Sequence, residues 1–251
     1  MKENPRISII TVCFNAERTI EDTIKSVLSQ DYPNLEYIVI DGKSTDDSLT
    51  VIKKFEDQIS HVISEKDKGM YDGLNKGIEM ASGEIIGMLN ADDFYISSTV
   101  VSDIAQSFQE EEADAAYADL YYVDQENTDK IIRKWRSGNY KRKKFFHGWM
   151  PPHPAFFIKK EFYNQYGKFN LDFKSAADYE LMLRMLYKHK AKTAYLPKFI
   201  VKMRVGGMSN ASLINRLRAN REDKKAWKVN GLKAGVHTFL MKPMRKVFQY
   251  L

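Results

Sequence analysis

Cysteine is nearly missing from these 251 residues, with Cys13 the single example. One thiol cannot build an internal disulfide framework or a multi-cysteine metal site. Its place at the end of an apolar run favours a buried structural thiol over a nucleophile. No uninterrupted apolar run approaches the ~20 residues that a membrane helix needs. No basic-then-apolar leader opens the chain, so the expected location is a reducing cytoplasm. A Gly-x-Gly-x-x-Gly turn is absent after the first apolar run, where Cys13-Phe14-Asn15-Ala16-Glu17 stands instead. That disfavours a dinucleotide dehydrogenase, and a sugar nucleotidyltransferase as well, which wants a Gly-rich, basic loop there. Internal repeats and low-complexity linkers are missing as well.

What remains is 43% apolar and 12% aromatic, enough for a real core and against disorder. The length fits one large α/β domain or one domain with a helical appendage. The net charge of +6 is unevenly placed: residues 214–251 carry ten Lys/Arg against two acids, which leaves residues 1–213 at −2. The basic character therefore belongs to the tail. A nearly neutral body argues against a non-catalytic nucleic-acid binder, despite a pI of about 9.1.

The first hundred residues alternate strand and helix. Ile7 to Cys13, Leu35 to Ile40, His61 to Ser64 and Glu84 to Leu89 read as strands. Helical spacing follows at Ile20, Ile24, Val27 and Leu28, at Leu49, Ile52 and Phe55, and at Leu74, Ile78 and Ala81. Alternation at these lengths implies a parallel sheet with right-handed crossovers. Further on, the pattern predicts a helix over 100–112, a strand over 115–123 and a polar turn over 124–130. A basic stretch then runs through Lys144, with a strand over 155–158, a helix over 178–187 and a strand over 193–203. The division expected is a first half at 1–105, a second half of the same domain at 106–210, and basic amphipathic helices at 211–251.

Three of the strands run into polar loops: Phe14-Asn15, Asp41-Gly42, and Asn90-Ala91-Asp92-Asp93. Ligands of open α/β sheets bind outside the carboxyl ends of the strands, so these loops are expected to share one crevice. Such a crevice suits a base, a ribose and a divalent metal holding a diphosphate. Asp41 can accept an N–H of a base or a ribose hydroxyl, while Ser44, Asp46 and Asp47 fit a turn and helix cap. Asp92 and Asp93 can hold Mg²⁺ or Mn²⁺, which takes one or two carboxylates and completes its shell with phosphates. Capping of the next helix is the competing reading for that pair.

The stretch TVCFNAERTIEDTIKSVLSQDYPNLEYIVIDGKSTDDS, followed by SEKDKGMYDGLNKGIEMASGEIIGMLNADD, resembles the nucleotide-binding half of the family 2 inverting glycosyltransferases. The likeness is strong over residues 5–100 and traceable to about residue 208. It implies the GT-A fold: a Rossmann-like three-layer α/β sandwich with a mostly parallel central sheet, here with a basic C-terminal helical tail. It also implies a nucleoside-diphosphate-sugar donor, with UDP favoured, and a saccharide or lipid-linked acceptor.

Carried over by the resemblance, Thr11, Phe14, Asn15 and Glu17 line the nucleotide pocket, and Asp41 meets the base. Lys68, Gly69, Asn75 and Gly77 belong to the segment along the nucleotide. The metal motif begins here with Asn90 in place of Asp, so Asp92 is the principal ligand, Asn90 offers a carbonyl oxygen and Asp93 supports them. Ser175-Ala176-Ala177-Asp178-Tyr179-Glu180-Leu181 resembles the family's Glu-Asp element, with Ala177 replacing the Glu. Asp178 is then the base that deprotonates the acceptor; a helix N-terminal carboxylate is its alternative role. Trp149 could stack on an acceptor sugar or serve an aromatic packing loop, and His153 could contact acceptor or diphosphate. Arg204 resembles part of a closing loop near the donor phosphates, against a plain surface arginine. The Gln-x-x-Arg-Trp element of processive synthases is absent, which implies one sugar per encounter. The tail interleaves Trp227, Leu232, Val236, Phe239, Leu240, Met241, Met244 and Val247 with basic residues. It suits an anionic membrane surface or packing against the domain.

Overall fold

The structure is a computed structural model that describes residues 4–206, 213–235 and 238–239. Four strands form its first half: β1 (Ile7–Cys13), β2 (Leu35–Asp41), β3 (His61–Ser64) and β4 (Ile85–Met88). All pairings among them are parallel, in the order β3-β2-β1-β4. Their carboxyl ends therefore open on one edge. Both faces of β1 are covered, as expected of a near-continuous apolar strand. Ile7 and Ile9 join the core on one face of the sheet, and Ile10 and Val12 join the core on the other.

The first of these cores receives α1 (Ile20–Leu28) through Ile20, Ile24 and Val27. A short helix, α2 (Ser48–Lys53), buries Ile52 beside it. On the opposite face α3 (Met70–Met80) lays Tyr71, Leu74 and Ile78 on the sheet. A Cβ at Gly77 would stand 2.4 Å from Ile10 Cγ2, so this glycine lets the helix backbone approach the sheet. Its sequence position beside the nucleotide segment thus reflects close packing.

The second half adds β5 (Asp93–Tyr95), α4 (Val100–Glu110), β6 (Ala115–Val123), β7 (Ile131–Trp135), β8 (Phe156–Lys159) and α5 (Lys160–Tyr166). After them come α6 (Ala177–Met182), β9 (Thr193–Arg204) and α7 (Leu213–Val229). The sheet changes direction where β8 pairs antiparallel with β4, and it continues β8-β6-β9-β5 with β7 on β6. Strand β9 is parallel to β6 with a register shift after Ala118–Leu196, resumed at Asp119–Phe199. Pro197 lies in that shift, where a residue without an N–H interrupts no ladder bond.

Differences from expectation are local. Strands β5 and β7 and helix α5 were not anticipated. Three residues are too few to show alternation, and Ile131-Ile132-Arg133-Lys134-Trp135 hides a strand inside the basic stretch. The helix expected over 178–187 is α-helical only to Met182 and continues as a π-helical turn, Leu183–Lys188. Residues 207–212 of the expected second half and tail, Val236 and the tail residues from Leu240 onward lie outside the described residues. Among the described residues no helix is long and apolar enough to cross a membrane.

Candidate active site

The loops after β1 and β2 are stapled to each other. Asn15, at a left-handed φ of 51°, accepts the Thr45 N–H on Oδ1 at 2.8 Å and donates its own N–H to Ser44 Oγ at 2.9 Å. Glu17 accepts the Asp47 N–H at 3.1 Å, and its N–H reaches Asp46 Oδ2 at 3.1 Å. Both residues therefore shape the rim of the crevice with their polar groups turned on the neighbouring loop. Thr11 lies beneath, fully buried, accepting the Tyr37 hydroxyl at 3.1 Å. Phe14 makes no such staple and projects outward, 63% exposed. Cys13 is buried beside it, and burial pushes its thiol up to about 11, an unreactive state.

Asp41 is fully buried at the end of β2. Its carboxylate accepts Ser44 Oγ at 2.5 Å, Ser64 Oγ at 2.6 Å and the Ser44 N–H at 3.2 Å. Opposite, Asp67 sits over Gly42: a Cβ there would meet Asp67 Oδ2 at 2.6 Å. Asp67 Oδ1 accepts the N–H of Gly69, which holds a φ of 113°. Lys68 donates its N–H to Asp72 at 3.0 Å, leaving its ammonium on an exposed side chain. Asn75 is engaged elsewhere, pairing through both side-chain atoms with the backbone of Phe169 at 2.9 Å. It anchors the 169–173 loop to α3.

The loop after β4 carries two carboxylates. Burial pushes the Asp92 carboxyl above its usual range, against the opposing pull of His153 and Arg204. Asp93 is fully buried, and burial followed by the Asp92 charge holds its carboxyl well above the usual range. Its Oδ1 has no hydrogen-bond partner among the described residues. Two crowded acids with an orphaned oxygen suit a cation near them. Among the described residues no three His, Cys, Asp or Glu groups converge as a self-sufficient metal cage. One carboxylate and an amide nevertheless fit Mg²⁺ or Mn²⁺, which draws its remaining ligands from phosphate and water.

His153 joins this loop to α6. Its Nε2 stands 3.1 Å from Asn90 Nδ2, and its Nδ1 stands 3.6 Å from Asp178 Oδ2. With Asn90 donating, the ring proton rests on Nδ1, facing the carboxylate. Burial lowers the His153 pKa, partly offset by Asp178 and Asp92. Asp178 Oδ1 accepts the Tyr179 N–H at 2.8 Å, which fixes the carboxylate at the start of α6. The base candidate and the metal-motif loop therefore lie one imidazole apart.

Arg204 and Trp149 occupy places the sequence reading did not favour. Arg204 is 5% exposed; it donates to the Asp92 carbonyl at 2.8 Å and to Asp22 Oδ2 at 2.5 Å. It ties β9 and α1 to the acidic loop and is no surface arginine. Trp149 is 2% exposed, its Nε1 donating to the Ser137 carbonyl at 2.8 Å, with its ring against Tyr117, Tyr140 and Phe145. It presents no free face to a sugar, so the aromatic-packing alternative describes it.

Two residues passed over in the sequence belong here. Glu222 of α7 is buried and accepts the N–H groups of Lys174, Ser175 and Ala176 at 3.1, 2.8 and 2.9 Å. It clamps the turn that delivers Asp178. Arg133 on β7 is buried with its guanidinium 3.6 Å over the Tyr122 ring. That phenol feels the charges of both Asp93 and Asp178. Neither was findable by motif, since Glu222 looks like one charge in a polar helix and Arg133 like one in a basic run.

Comparison with known proteins agrees with this arrangement. The family model described as "Glycosyl transferase family 2" matches residues 8–167. An uncharacterised glycosyltransferase of Mycobacterium tuberculosis is 32% identical over 186 residues, spanning 73% of this chain and 70% of that protein. The Escherichia coli UDP-Glc:alpha-D-GlcNAc-diphosphoundecaprenol beta-1,3-glucosyltransferase WfaP is 33% identical over 123 residues, 48% of this chain and 47% of its own. Among solved structures, the mannosyltransferase PcManGT of Pyrobaculum calidifontis, in complex with GDP-Man and Mn²⁺, superposes with a TM-score of 0.67 at 16% identity. That match covers 98% of this chain and 70% of PcManGT. With its mixed α/β sheet and its acidic loop at the sheet's edge, the chain belongs to glycosyl transferase family 2 and is a glycosyltransferase of the GT-A fold.

Proposed function

We propose that the protein moves one sugar from a nucleoside-diphosphate-sugar, with UDP favoured, to a hydroxyl of a saccharide or lipid-linked saccharide, inverting the anomeric configuration. The observation that carries this reading is the Asn90–His153–Asp178 bridge. It sets a carboxylate facing the loop where the leaving diphosphate would rest. Asp178 takes the proton of the acceptor hydroxyl as its oxygen attacks the anomeric carbon from the face opposite the diphosphate. Asp92 and Asn90 are the residues that would hold Mn²⁺ or Mg²⁺, with Asp93 behind them. Such an ion supplies charge neutralisation for the departing diphosphate. His153 keeps Asp178 and Asn90 in register, and the Asn15 and Glu17 staples hold the crevice rim. Asp41 and Asp67 flank Gly42, where the base would lie.

The UDP preference is supported by the donor in the name of the Escherichia coli relative. The same name supports a polyprenyl-diphosphate-linked acceptor, and with it a role in cell-surface glycan or glycolipid synthesis on the inner face of a membrane. A thermal-shift screen of UDP- and GDP-sugars, with and without Mn²⁺, tests the donor assignment. A UDP-sugar with Mn²⁺ should give the largest upward shift. Equal shifts with and without the cation would contradict the metal role.

A further inference from the structure

Three chain segments bring exposed cations to one side of the molecule. Lys141 and Lys143 belong to the 3₁₀ turn around Arg142–His147, Lys188 and Lys190 to the end of the π-helical turn, and Lys224 and Lys228 to α7. An aromatic cluster gathers the segments: ring centroids of Phe146 and Trp227 lie 5.2 Å apart, of Tyr187 and Trp227 5.3 Å, and of Phe146 and Tyr187 5.5 Å. Arg142 secures the first two, donating to the Tyr187 carbonyl at 3.1 Å with its guanidinium 4.2 Å over that ring.

The three segments themselves expose one sign of charge, with Asp172 a neighbouring exposed carboxylate that Lys225 of α7 meets at 4.0 Å. Residues 139–147 and 183–192 contain no Asp or Glu. The only acids after residue 206 are Glu222 and Asp223, and both are buried. Among the described residues none of the six lysines forms an ion pair with a carboxylate. Such a concentration of unmatched charge repels itself and draws a polyanionic surface. Single-stranded nucleic acid would want exposed aromatic platforms, whereas the rings here are occupied with one another. Among the described residues of these segments, Val229 is apolar and 48% exposed beside Lys228, which suits a headgroup boundary.

The same face is coupled to the site. Trp227 Nε1 donates to the Tyr179 hydroxyl at 2.9 Å, and Glu222 holds the turn before Asp178. We propose that this three-segment face docks on an anionic lipid bilayer, so that the surface is not confined to the tail. Docking there presents the α6 end of the site to an acceptor held in the membrane. Lipid binding goes beyond the proposed transfer reaction and needs no turnover.

The test uses the full chain and phosphatidylcholine vesicles, pure or enriched in phosphatidylglycerol. The wild type should co-sediment with the anionic vesicles only, and high salt should release it. The variant Lys141→Gln/Lys143→Gln/Lys188→Gln/Lys190→Gln should lose affinity on the order of 10³-fold, since each basic residue near such a surface contributes ~1 kcal/mol. Arginine at the same four positions should restore binding, and UDP binding should be unchanged throughout. If the fourfold variant melts early, Lys188→Gln/Lys190→Gln should still weaken binding by roughly 30-fold. Wild-type indifference to lipid charge would overturn the proposal, as would full vesicle binding by the glutamine variants. Tighter binding to an RNA or DNA oligonucleotide than to the vesicles would assign the face to nucleic acid instead.

Discussion

At the scale of single residues, the site depends on side chains that hold other side chains. His153 touches both the metal-motif loop and the proposed base. Its replacement by alanine should leave donor affinity nearly intact and lower kcat on the order of 10²-fold, the cost of a small misplacement of reacting groups. Turnover of the His153→Ala variant at the wild-type rate would remove this role. Away from the site, Glu36 is 1% exposed between β1, β2 and the end of α3. Burial alone would raise its pKa. Hydrogen bonds from Ser8 Oγ, Ser82 Oγ and the Ser82 N–H, with the charge of Arg6, outweigh burial and leave it below the ordinary 4.5. A depressed carboxylate pKa stabilises the fold above the unfolded value and loses that contribution as pH falls through the folded one. Melting temperature should therefore drop below about pH 4.5 more steeply in the wild type than in Glu36→Gln; parallel curves would contradict it.

At the scale of elements, α7 acts as a platform for α6. Glu222 accepts three N–H groups ahead of Asp178, and Asn230 donates to Glu180 at 2.9 Å. Glu222→Ala should cost on the order of 2–3 kcal/mol in urea unfolding, because buried donors lose a charged acceptor. Glu222→Gln should fold and show a lower kcat with an unchanged donor KM; unchanged kcat would limit Glu222 to a structural role. The elements themselves were unevenly legible. Ile7–Cys13, His61–Ser64 and Ala115–Val123 are bounded as their apolar runs suggest. Asp93–Tyr95 and Ile131–Trp135 were hidden because tertiary pairing with β9 and β6, not local pattern, makes them strands. The polar loops after β1, β2 and β4 pointed in the sequence to the crevice described as the candidate site. Which candidate side chains stay free did not show: Asn75 and Trp149 are engaged by distant partners that no local spacing reveals, and Asp41 by Ser64 as well as the nearby Ser44.

At the scale of the whole molecule, the candidate site sits where a parallel half-sheet meets a mixed one at β4 and β8. The first half supplies the acidic loop, and the second supplies His153, Arg133, Arg204 and Asp178. Donor and cation should therefore stabilise the chain as a unit. A ligand at 100 times its Kd adds about 2.7 kcal/mol, or roughly 5–10 °C for a chain of this size. A UDP-sugar with Mn²⁺ should reach that range, while either one alone should fall short; additive independent shifts would contradict a shared site. The central claim is that the carboxylate facing the acidic loop removes the acceptor proton and does not help to hold the donor. The most direct measurement is sugar transfer alongside donor affinity, by calorimetry, for the wild type and Asp178→Asn. The account predicts a loss of transfer of at least 10²-fold with donor Kd unchanged. Near-normal transfer by Asp178→Asn, or loss of donor binding in step with activity, would contradict it.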